Sequence, residues 1–133
     1  MAQPDLLRIE GLDIGFATAG GMARAVRGVD LALAPDTIMG LVGESGCGKS
    51  TLLKAIMRVM APNAHITAGR IVFQGQDIVA ASNAAMRRLR WRHVSMIPQS
   101  AMNALNPVQR IGGQIAEAIL AHDSAAREQA LAH

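Results

Sequence analysis

One stretch of this chain, residues 41–51, contains a pattern that points to a specific chemistry. Gly43, Gly48, Lys49 and Ser50 occupy the four fixed positions of G-x-x-x-x-G-K-[ST]. Glycines let the backbone turn tightly, so that successive N–H groups can approach phosphate oxygens. A lysine at this spacing can reach the terminal phosphates, and the serine hydroxyl can ligate Mg²⁺. The pattern therefore predicts a site for a triphosphate and its magnesium ion.

The candidate phosphate-binding residues are the whole loop and the first residues of the helix expected after it: Gly43, Glu44, Ser45, Gly46, Cys47, Gly48, Lys49, Ser50 and Thr51. Cys47 is interpreted as a small residue that fits the loop and contributes its backbone N–H. A chance glycine turn is the alternative interpretation of the pattern. The residues on either side of it favour a phosphate-binding loop.

The residues on either side of the loop predict the elements that must position it. Residues 38–42 are a short apolar run, typical of a buried strand. From Lys49 to Met60, apolar residues recur on one helical face, and Pro62 is expected to end that helix. The positive end of the helix would add to the attraction for an anion.

The remaining patterns predict an antiparallel region before the loop and mixed structure after it. Residues 6–16 alternate as a strand, Gly20 and Gly21 break it, and residues 25–34 are expected to return as its partner. After the loop, a strand and turn are expected at 69–78, and a helix from Asn83 to Arg92, capped by Ser82 or Asn83. A short strand is expected at 94–97, and Asn106 and Pro107 open a turn. Two helices are expected after that turn: one has an apolar face made of Ile111, Ile115, Ile119 and Leu120, and the last begins at Ala125.

Length and composition limit the classes of protein to consider. A chain of 133 residues fits one core, and its core must rest on aliphatic residues because only 2 % of the residues are aromatic. It has no apolar run of the roughly 20 residues that cross a bilayer and no secretory signal pattern. The single cysteine suits a reducing compartment. The net charge of +3 is too small to argue for nucleic acid, and the arginine run at 87–92 is interpreted as a solvated helix face rather than a contact for phosphates or an acidic partner.

Two motifs together resemble one nucleotide-binding family. Residues 96–107, which include Gln99, Asn106 and Pro107, are similar to the Q-loop of ATP-binding cassette (ABC) transporter ATPase subunits, in the oligopeptide, dipeptide and nickel importer branch. Residues 42–46 of the loop also suit that branch. The resemblance covers nearly the whole chain but matches only the N-terminal half of a family domain.

The resemblance implies an α/β fold: a P-loop NTPase core, with a partial parallel sheet and flanking helices, plus an N-terminal antiparallel β subdomain. The chain would be truncated before the signature motif and the Walker B strand. The implied divisions of this partial nucleotide-binding domain are 1–37 for the antiparallel β region, 38–62 for the Walker A strand, loop and helix, 63–107 for the region up to the Q-loop, and 108–133 for the start of the helical subdomain.

The same resemblance implies roles for residues outside the loop. Gln99 would lie near the γ-phosphate and share Mg²⁺ with Ser50, and Phe16 would stack on adenine, with Val26 in the same base pocket. A surface glutamine and an ordinary core phenylalanine are the alternatives. Ile111, Gly112, Gly113 and Gln114 look like part of the family's signature motif, but no serine precedes the glycines, so they are interpreted as the start of a helix.

The sequence contains no apolar strand ending in an acidic pair and no switch histidine in a matching setting. The chain alone is therefore expected to hydrolyse ATP negligibly. The strands beside the missing Walker B strand are expected to have open edges, so the chain should be marginal, aggregation-prone or stabilised by another chain.

The leading hypothesis is an ATP-binding subunit that powers uptake of peptides or a similar small solute. Its expected partners are permease subunits, a second ATPase subunit and, indirectly, a solute-binding protein, at the cytoplasmic face of the inner membrane and without nucleic acid. Another P-loop kinase or GTPase is one alternative, although the Asn-Lys-x-Asp motif that reads guanine is missing. A non-catalytic interaction fragment is the other.

Overall fold

The computed structural model describes residues 4–98 and 105–122. The elements are β1 (Leu7–Thr18), β2 (Gly21–Leu33), α1 (Lys49–Ile56), β3 (Ala64–Phe73), β4 (Gln76–Asp77), α2 (Asn83–Arg92) and α3 (Ile111–His122). The chain divides into two compact units, Met1–Met86 and Arg87–His133. None of the helices in the described ranges is long and apolar enough to cross a bilayer.

The first unit is built on a four-stranded antiparallel sheet in the order β2-β1-β3-β4. β1 pairs with β2 from Leu7 opposite Leu33 to Thr18 opposite Gly21, so the predicted antiparallel hairpin is confirmed. The predicted strand at residue 69 begins earlier, at Ala64, because β3 pairs along the other edge of β1.

Two aspartates stabilise the places where the β1–β2 register shifts. The backbone N–H of Gly11 donates to Asp30 Oδ1 at 2.8 Å, and the N–H of Gly28 donates to Asp13 Oδ1 at 2.6 Å. An irregularity removes ladder partners from the backbone, and here the carboxylates supply acceptors instead. The sheet keeps its pairing on both sides of each shift.

The core lies against one side of this sheet and includes part of α1. Its buried hydrophobic side chains are Leu7, Ile9, Leu12, Ile14, Val26, Leu52, Ala55, Ala64, Ile71, Phe73, Ile78 and Met86. The set is almost entirely aliphatic, as the composition predicts. Leu52 and Ala55 recur at helical spacing, so α1 buries one face of its short length.

The strands predicted at residues 38–42 and 94–97 are absent, so these two predictions are wrong. Ile38 is fully exposed, and Val42 and Ile97 are each about 90 % exposed. An apolar run becomes a buried strand only where neighbouring strands satisfy its N–H and C=O groups. The described ranges contain no strand paired with either run, and their sheet contains no parallel pair. The partial parallel sheet is therefore not formed in this part of the chain.

α1 ends at Ile56 rather than near Met60, so Pro62 is not its stop signal. Arg58 adopts a left-handed conformation with φ 49°. The N–H of Val59 donates to the Lys54 carbonyl at 2.9 Å, and that of Arg58 donates to the Ala55 carbonyl at 3.0 Å. These two bonds form a Schellman motif, which closes the last turn of the helix.

α2 matches the predicted range, and its cap is Ser82, whose Oγ accepts from the N–H of Ala85 at 3.2 Å. α3 begins at Ile111 as predicted. Its apolar residues Ile111, Ile115 and Ile119 are 43–59 % exposed. The helix predicted from Ala125 lies outside the described residues.

The exposure of residues 38–42 can be tested by replacing an exposed and a buried isoleucine with threonine. Ile38→Thr should change the free energy of unfolding by less than about 0.5 kcal/mol, because the side chain contacts solvent. It should also reduce self-association, since it removes an exposed apolar group. Ile71→Thr, at a fully buried position, should cost at least about 2 kcal/mol. Urea unfolding and light scattering would measure both effects; equal losses of stability would contradict the placement of Ile38.

Candidate phosphate-binding site

The predicted phosphate-binding loop leads directly into α1. Gly48 is the residue before the helix, with φ 97° and ψ 0°, and its carbonyl accepts from the N–H of Leu52 at 2.9 Å. Within the loop, the N–H of Cys47 donates to the Glu44 carbonyl at 3.4 Å. The first N–H groups of a helix have no partner inside it, so this arrangement directs donors and the positive helix end toward the loop.

Lys49 is the first residue of α1, and its side chain folds back across the loop. Its Nζ donates to the carbonyls of Gly43 and Glu44, both at 2.6 Å, and lies 3.4 Å from Cys47 Sγ. The ammonium is therefore held beside the loop backbone by neutral acceptors. Phosphate oxygens are anionic acceptors and make stronger hydrogen bonds with an ammonium than carbonyls do.

The Cα of Gly43 faces the side chains of Cys47 and Lys49. A Cβ added there would lie 2.9 Å from Cys47 Sγ and 4.0 Å from Lys49 Nζ. A side chain at this position would therefore clash with Cys47 Sγ, whereas its distance from the ammonium would be an ordinary van der Waals contact. The fixed glycine of the pattern leaves room for the Cys47 side chain.

Ser50 and Thr51 form the first turn of α1 with Lys49, and Ser50 is exposed. A hydroxyl oxygen is a hard ligand of the kind that Mg²⁺ prefers. Within the described ranges, no three His, Cys, Asp or Glu side chains are grouped so that they could hold a metal ion. The exposed Ser50 hydroxyl suits a magnesium ion that is also bound by phosphate oxygens and water.

The position of the loop is set by β2. A Cβ added to Gly48 would lie 2.7 Å from the carbonyl oxygen of Ala25 and 3.2 Å from Val26 Cγ2. Ala25 lies at a register shift, because Val26 is opposite Ile14 whereas Arg24 is opposite Gly15. Only glycine fits both this close approach and the left-handed backbone at residue 48. Sequence analysis missed Ala25, which carries no side-chain signal.

Phe16 and Val26 both lie near the start of α1, but they line different cavities. Phe16 lines a small cavity of about 80 Å³ with Ser50, Thr51 and Lys54 among its other residues. Val26 lines a second cavity of about 370 Å³, with Gly48 and Lys49 among its lining residues. Neither of these two cavities includes both residues, and the shared base pocket stays a prediction. The register shift at Ala25 places Val26 opposite Ile14, while Phe16 is opposite Ala23.

Gln99 lies outside the described residues, so its predicted place near Mg²⁺ stays a prediction. The turn predicted at Asn106 and Pro107 is confirmed in the second unit. Asn106 Oδ1 accepts from the N–H of Val108 at 3.1 Å, and the Asn106 carbonyl accepts from the N–H of Gln109 at 3.2 Å. Ile111 and the two glycines after it form the first turn of α3, which confirms their interpretation as a helix start.

A glycine loop that leads into a helix, with its lysine across the loop, is typical of P-loop nucleotide-binding proteins. The chain belongs to the ABC transporter family, whose model matches residues 26–133. This confirms the family inferred from the loop and the residues around Gln99.

Named relatives come from the peptide branch of that family. The chain is 40 % identical over 126 residues to the dipeptide transport ATP-binding protein DppD of Bacillus subtilis, an alignment that covers 94 % of this chain and 38 % of the relative. It is 38 % identical to the oligopeptide transport ATP-binding protein OppD of the same organism, covering 94 % and 35 %. It is 39 % identical to a putative peptide import ATP-binding protein of Brucella abortus, covering 98 % and 40 %. The chain therefore spans between a third and two fifths of the length of these relatives.

The contact between Gly48 and β2 can be tested against a second glycine of the loop. Gly46 also has a left-handed backbone, with φ 84°, but a Cβ there would meet nothing within 4 Å. Gly46→Ala should therefore cost only the backbone strain, about 1–2 kcal/mol. Gly48→Ala adds a clash with the Ala25 carbonyl and should cost more and displace the loop. Thermal unfolding of both variants would measure the difference, and equal melting temperatures would contradict the close approach.

Proposed function

We propose that this chain is the nucleotide-binding portion of an ABC transporter ATPase subunit and that it binds Mg-ATP at residues 43–51. The observation that carries the proposal is the position of Lys49 Nζ, held across a glycine loop at the first turn of α1. The family match supports the same function.

In this proposal the oxygens of the triphosphate replace the neutral carbonyl acceptors that Lys49 Nζ now bonds. Lys49 Nζ turns from the carbonyls of Gly43 and Glu44 to the terminal phosphates, and the N–H groups at the start of α1 bind phosphate oxygens. Bound magnesium would neutralise part of the phosphate charge, and the side chains of Ser50 and Gln99 would be its two protein ligands.

The adenine contact is assigned to Phe16. Its side chain is half-buried and shares a cavity with Ser50 and Thr51, so it lies close to the end of α1 where the phosphates would bind. The base would then stack on the ring as the triphosphate enters the loop. The cavity itself holds only about 80 Å³, which is too small for a purine. Stacking would therefore take place at its mouth.

For the whole protein, we infer ATP-driven import of peptides or a similar small solute, because the named relatives are dipeptide and oligopeptide transport proteins. The inferred partners are permease subunits and a second ATPase subunit, with a solute-binding protein acting indirectly. The inferred location is peripheral, at the cytoplasmic face of the inner membrane. The family match argues against the kinase or GTPase alternative.

The phosphate and base contacts can be separated with inorganic tripolyphosphate, which has no base. Lys49→Ala should weaken binding of both Mg-ATP and tripolyphosphate by about 10- to 100-fold, because it removes a charged hydrogen-bond donor. Isothermal titration would measure both ligands. Arg88→Ala, which removes the same charge from an exposed position on α2, is the control and should leave both affinities unchanged. If the two variants weakened binding equally, the effect would be one of net charge, and the Lys49 assignment would fail.

Phe16→Ala should weaken Mg-ATP binding by about five- to 100-fold, the usual range for loss of one base–aromatic stack. Tripolyphosphate affinity should stay the same, since the triphosphate does not contact the ring. Phe16→Tyr keeps an aromatic face and should restore ATP binding. An equal loss for both ligands would show that Phe16 only supports the fold.

Hydrolysis by the 133-residue chain should be negligible even where binding is strong. Transfer of the γ-phosphate to water needs an oriented water and charge stabilisation beyond what Lys49 and Mg²⁺ supply, and the sequence lacks the acidic pair that would complete the site. A single-turnover assay with excess chain over radiolabelled ATP would measure this. Lys49-dependent turnover would contradict the prediction.

A further inference from the structure

The helix α2 carries a concentration of positive charge that the phosphate-binding site does not use. Four arginines lie between residues 87 and 92, and the helix contains no acidic residue. The whole sequence has 13 lysines and arginines against 10 aspartates and glutamates, so the rest of the sequence, without these four, has more acidic than basic residues. The net positive charge of the chain therefore resides in this one helix.

Three of these arginines share one exposed side of the helix. Arg87, Arg88 and Arg92 are exposed, whereas Leu89 and Arg90 are half-buried. At 3.6 residues per turn, the three exposed positions fall within roughly 140° of the helix circumference. Arg88 and Arg92 are four residues apart and are therefore neighbours on the helix surface. The three residues form a compact basic surface, which we call the α2 arginine face.

Within the described ranges, no carboxylate neutralises the α2 arginine face. The ion pairs found there all involve Arg8 or Arg70. In the described part of the second unit, Glu117 is the only acidic residue, and it makes no ion pair with these arginines. The charge of this face is therefore uncompensated in the part of the chain that the structure describes.

The stability of the helix does not account for this arrangement. Basic residues favour the last turn of a helix, where they oppose the negative end of its dipole, but Arg87 and Arg88 lie in the middle of α2. Like charges four residues apart, such as Arg88 and Arg92, destabilise a helix. A surface that is only solvated usually mixes charges of both signs. Exposure alone therefore does not explain why all the charges of α2 are positive.

We propose that the α2 arginine face binds the anionic headgroups of a phospholipid bilayer. A guanidinium group donates two parallel hydrogen bonds to a phosphate and is less strongly hydrated than an ammonium, so arginine suits such a surface. The choice of a membrane rests on the proposed function, which places the chain at the cytoplasmic face of the inner membrane, where anionic lipids create a negative surface potential. Cytoplasmic loops of membrane proteins are enriched in lysine and arginine, so permease loops would repel this face.

Flotation on a density gradient measures the contact, because aggregated protein sinks whereas vesicle-bound protein rises. The probes are vesicles made of equal parts of phosphatidylglycerol and phosphatidylcholine, and vesicles of phosphatidylcholine alone. The 133-residue chain should float with the anionic vesicles only, and less as the salt concentration rises, since salt screens exposed charges. Arg87→Gln, Arg88→Gln and Arg92→Gln together should weaken binding roughly 100-fold, because each basic residue near the surface contributes about fivefold.

A matched variant removes the same number of charges elsewhere. Arg24→Gln, Arg27→Gln and Arg110→Gln together also neutralise three exposed arginines. This variant should weaken binding by less than about threefold, because the attraction falls off within a Debye length of the membrane. Equal losses in the two glutamine variants would show an effect of net charge and would overturn the proposal.

A lysine variant separates the charge of the face from the folding of the helix. Arg87→Lys, Arg88→Lys and Arg92→Lys together should bind within about fivefold of the parent chain, since lysine keeps the charge but loses the paired hydrogen bonds. Circular dichroism should show unchanged helicity, because glutamine and lysine are both good helix formers. If the lysine variant lost binding as completely as the glutamine variant, the contact would not be electrostatic, and the proposal would fail.

Failure of this inference can be distinguished from failure of the proposed function. Mg-ATP affinity should be unchanged when the α2 arginine face carries glutamines, and Lys49→Ala should float like the parent chain. A parent chain that binds Mg-ATP but does not float would overturn the inference alone, whereas one that floats but does not bind Mg-ATP would overturn the proposed function. Tighter binding to polyglutamate than to the vesicles, at equal anionic charge, would assign the face to an acidic protein segment and overturn the membrane assignment.

Discussion

The close approach between Gly48 and the carbonyl of Ala25 is the constraint on which the site depends. It fixes the end of the phosphate-binding loop against β2, and the first turn of α1 follows directly from it. The carbonyl is free to lie there because β2 shifts register at Ala25, and its ladder with β1 resumes on either side. A sheet irregularity thus determines where the helix begins, and with it the direction of the helix's free N–H groups.

Lys49 connects the two ends of the loop. It is fixed at the helix by Gly48, and its ammonium bonds the carbonyls of Gly43 and Glu44 at the other end. The ammonium therefore has two possible sets of acceptors, the loop carbonyls and a bound phosphate. In the proposed function, phosphate binding would replace the first set by the second, so the net gain in binding free energy would be smaller than the strength of a lysine–phosphate contact considered alone.

The sequence predicted those features whose causes are local. The G-x-x-x-x-G-K-[ST] pattern located the loop, alternation located the β1–β2 hairpin, and Ser82 marked the start of α2. It failed where the cause lies elsewhere in the chain. Residues 38–42 have the composition of a buried strand, but composition cannot supply the neighbouring strand that would cover Val42. Likewise, no residue type in the sequence indicates that the Ala25 carbonyl lies against Gly48.

The same distinction explains why the two sides of the loop differ. The side after Gly48 is held by contacts with β2 and α1, all made within residues that the structure describes. The residues before Gly43 form an exposed apolar run, and Lys49 Nζ donates to the Gly43 carbonyl at its end. If another strand paired with residues 38–42, its backbone bonds would hold Gly43, and the contact from Lys49 would no longer be needed there. In the proposed function, such pairing would favour phosphate binding by Lys49, and phosphate binding would favour the pairing.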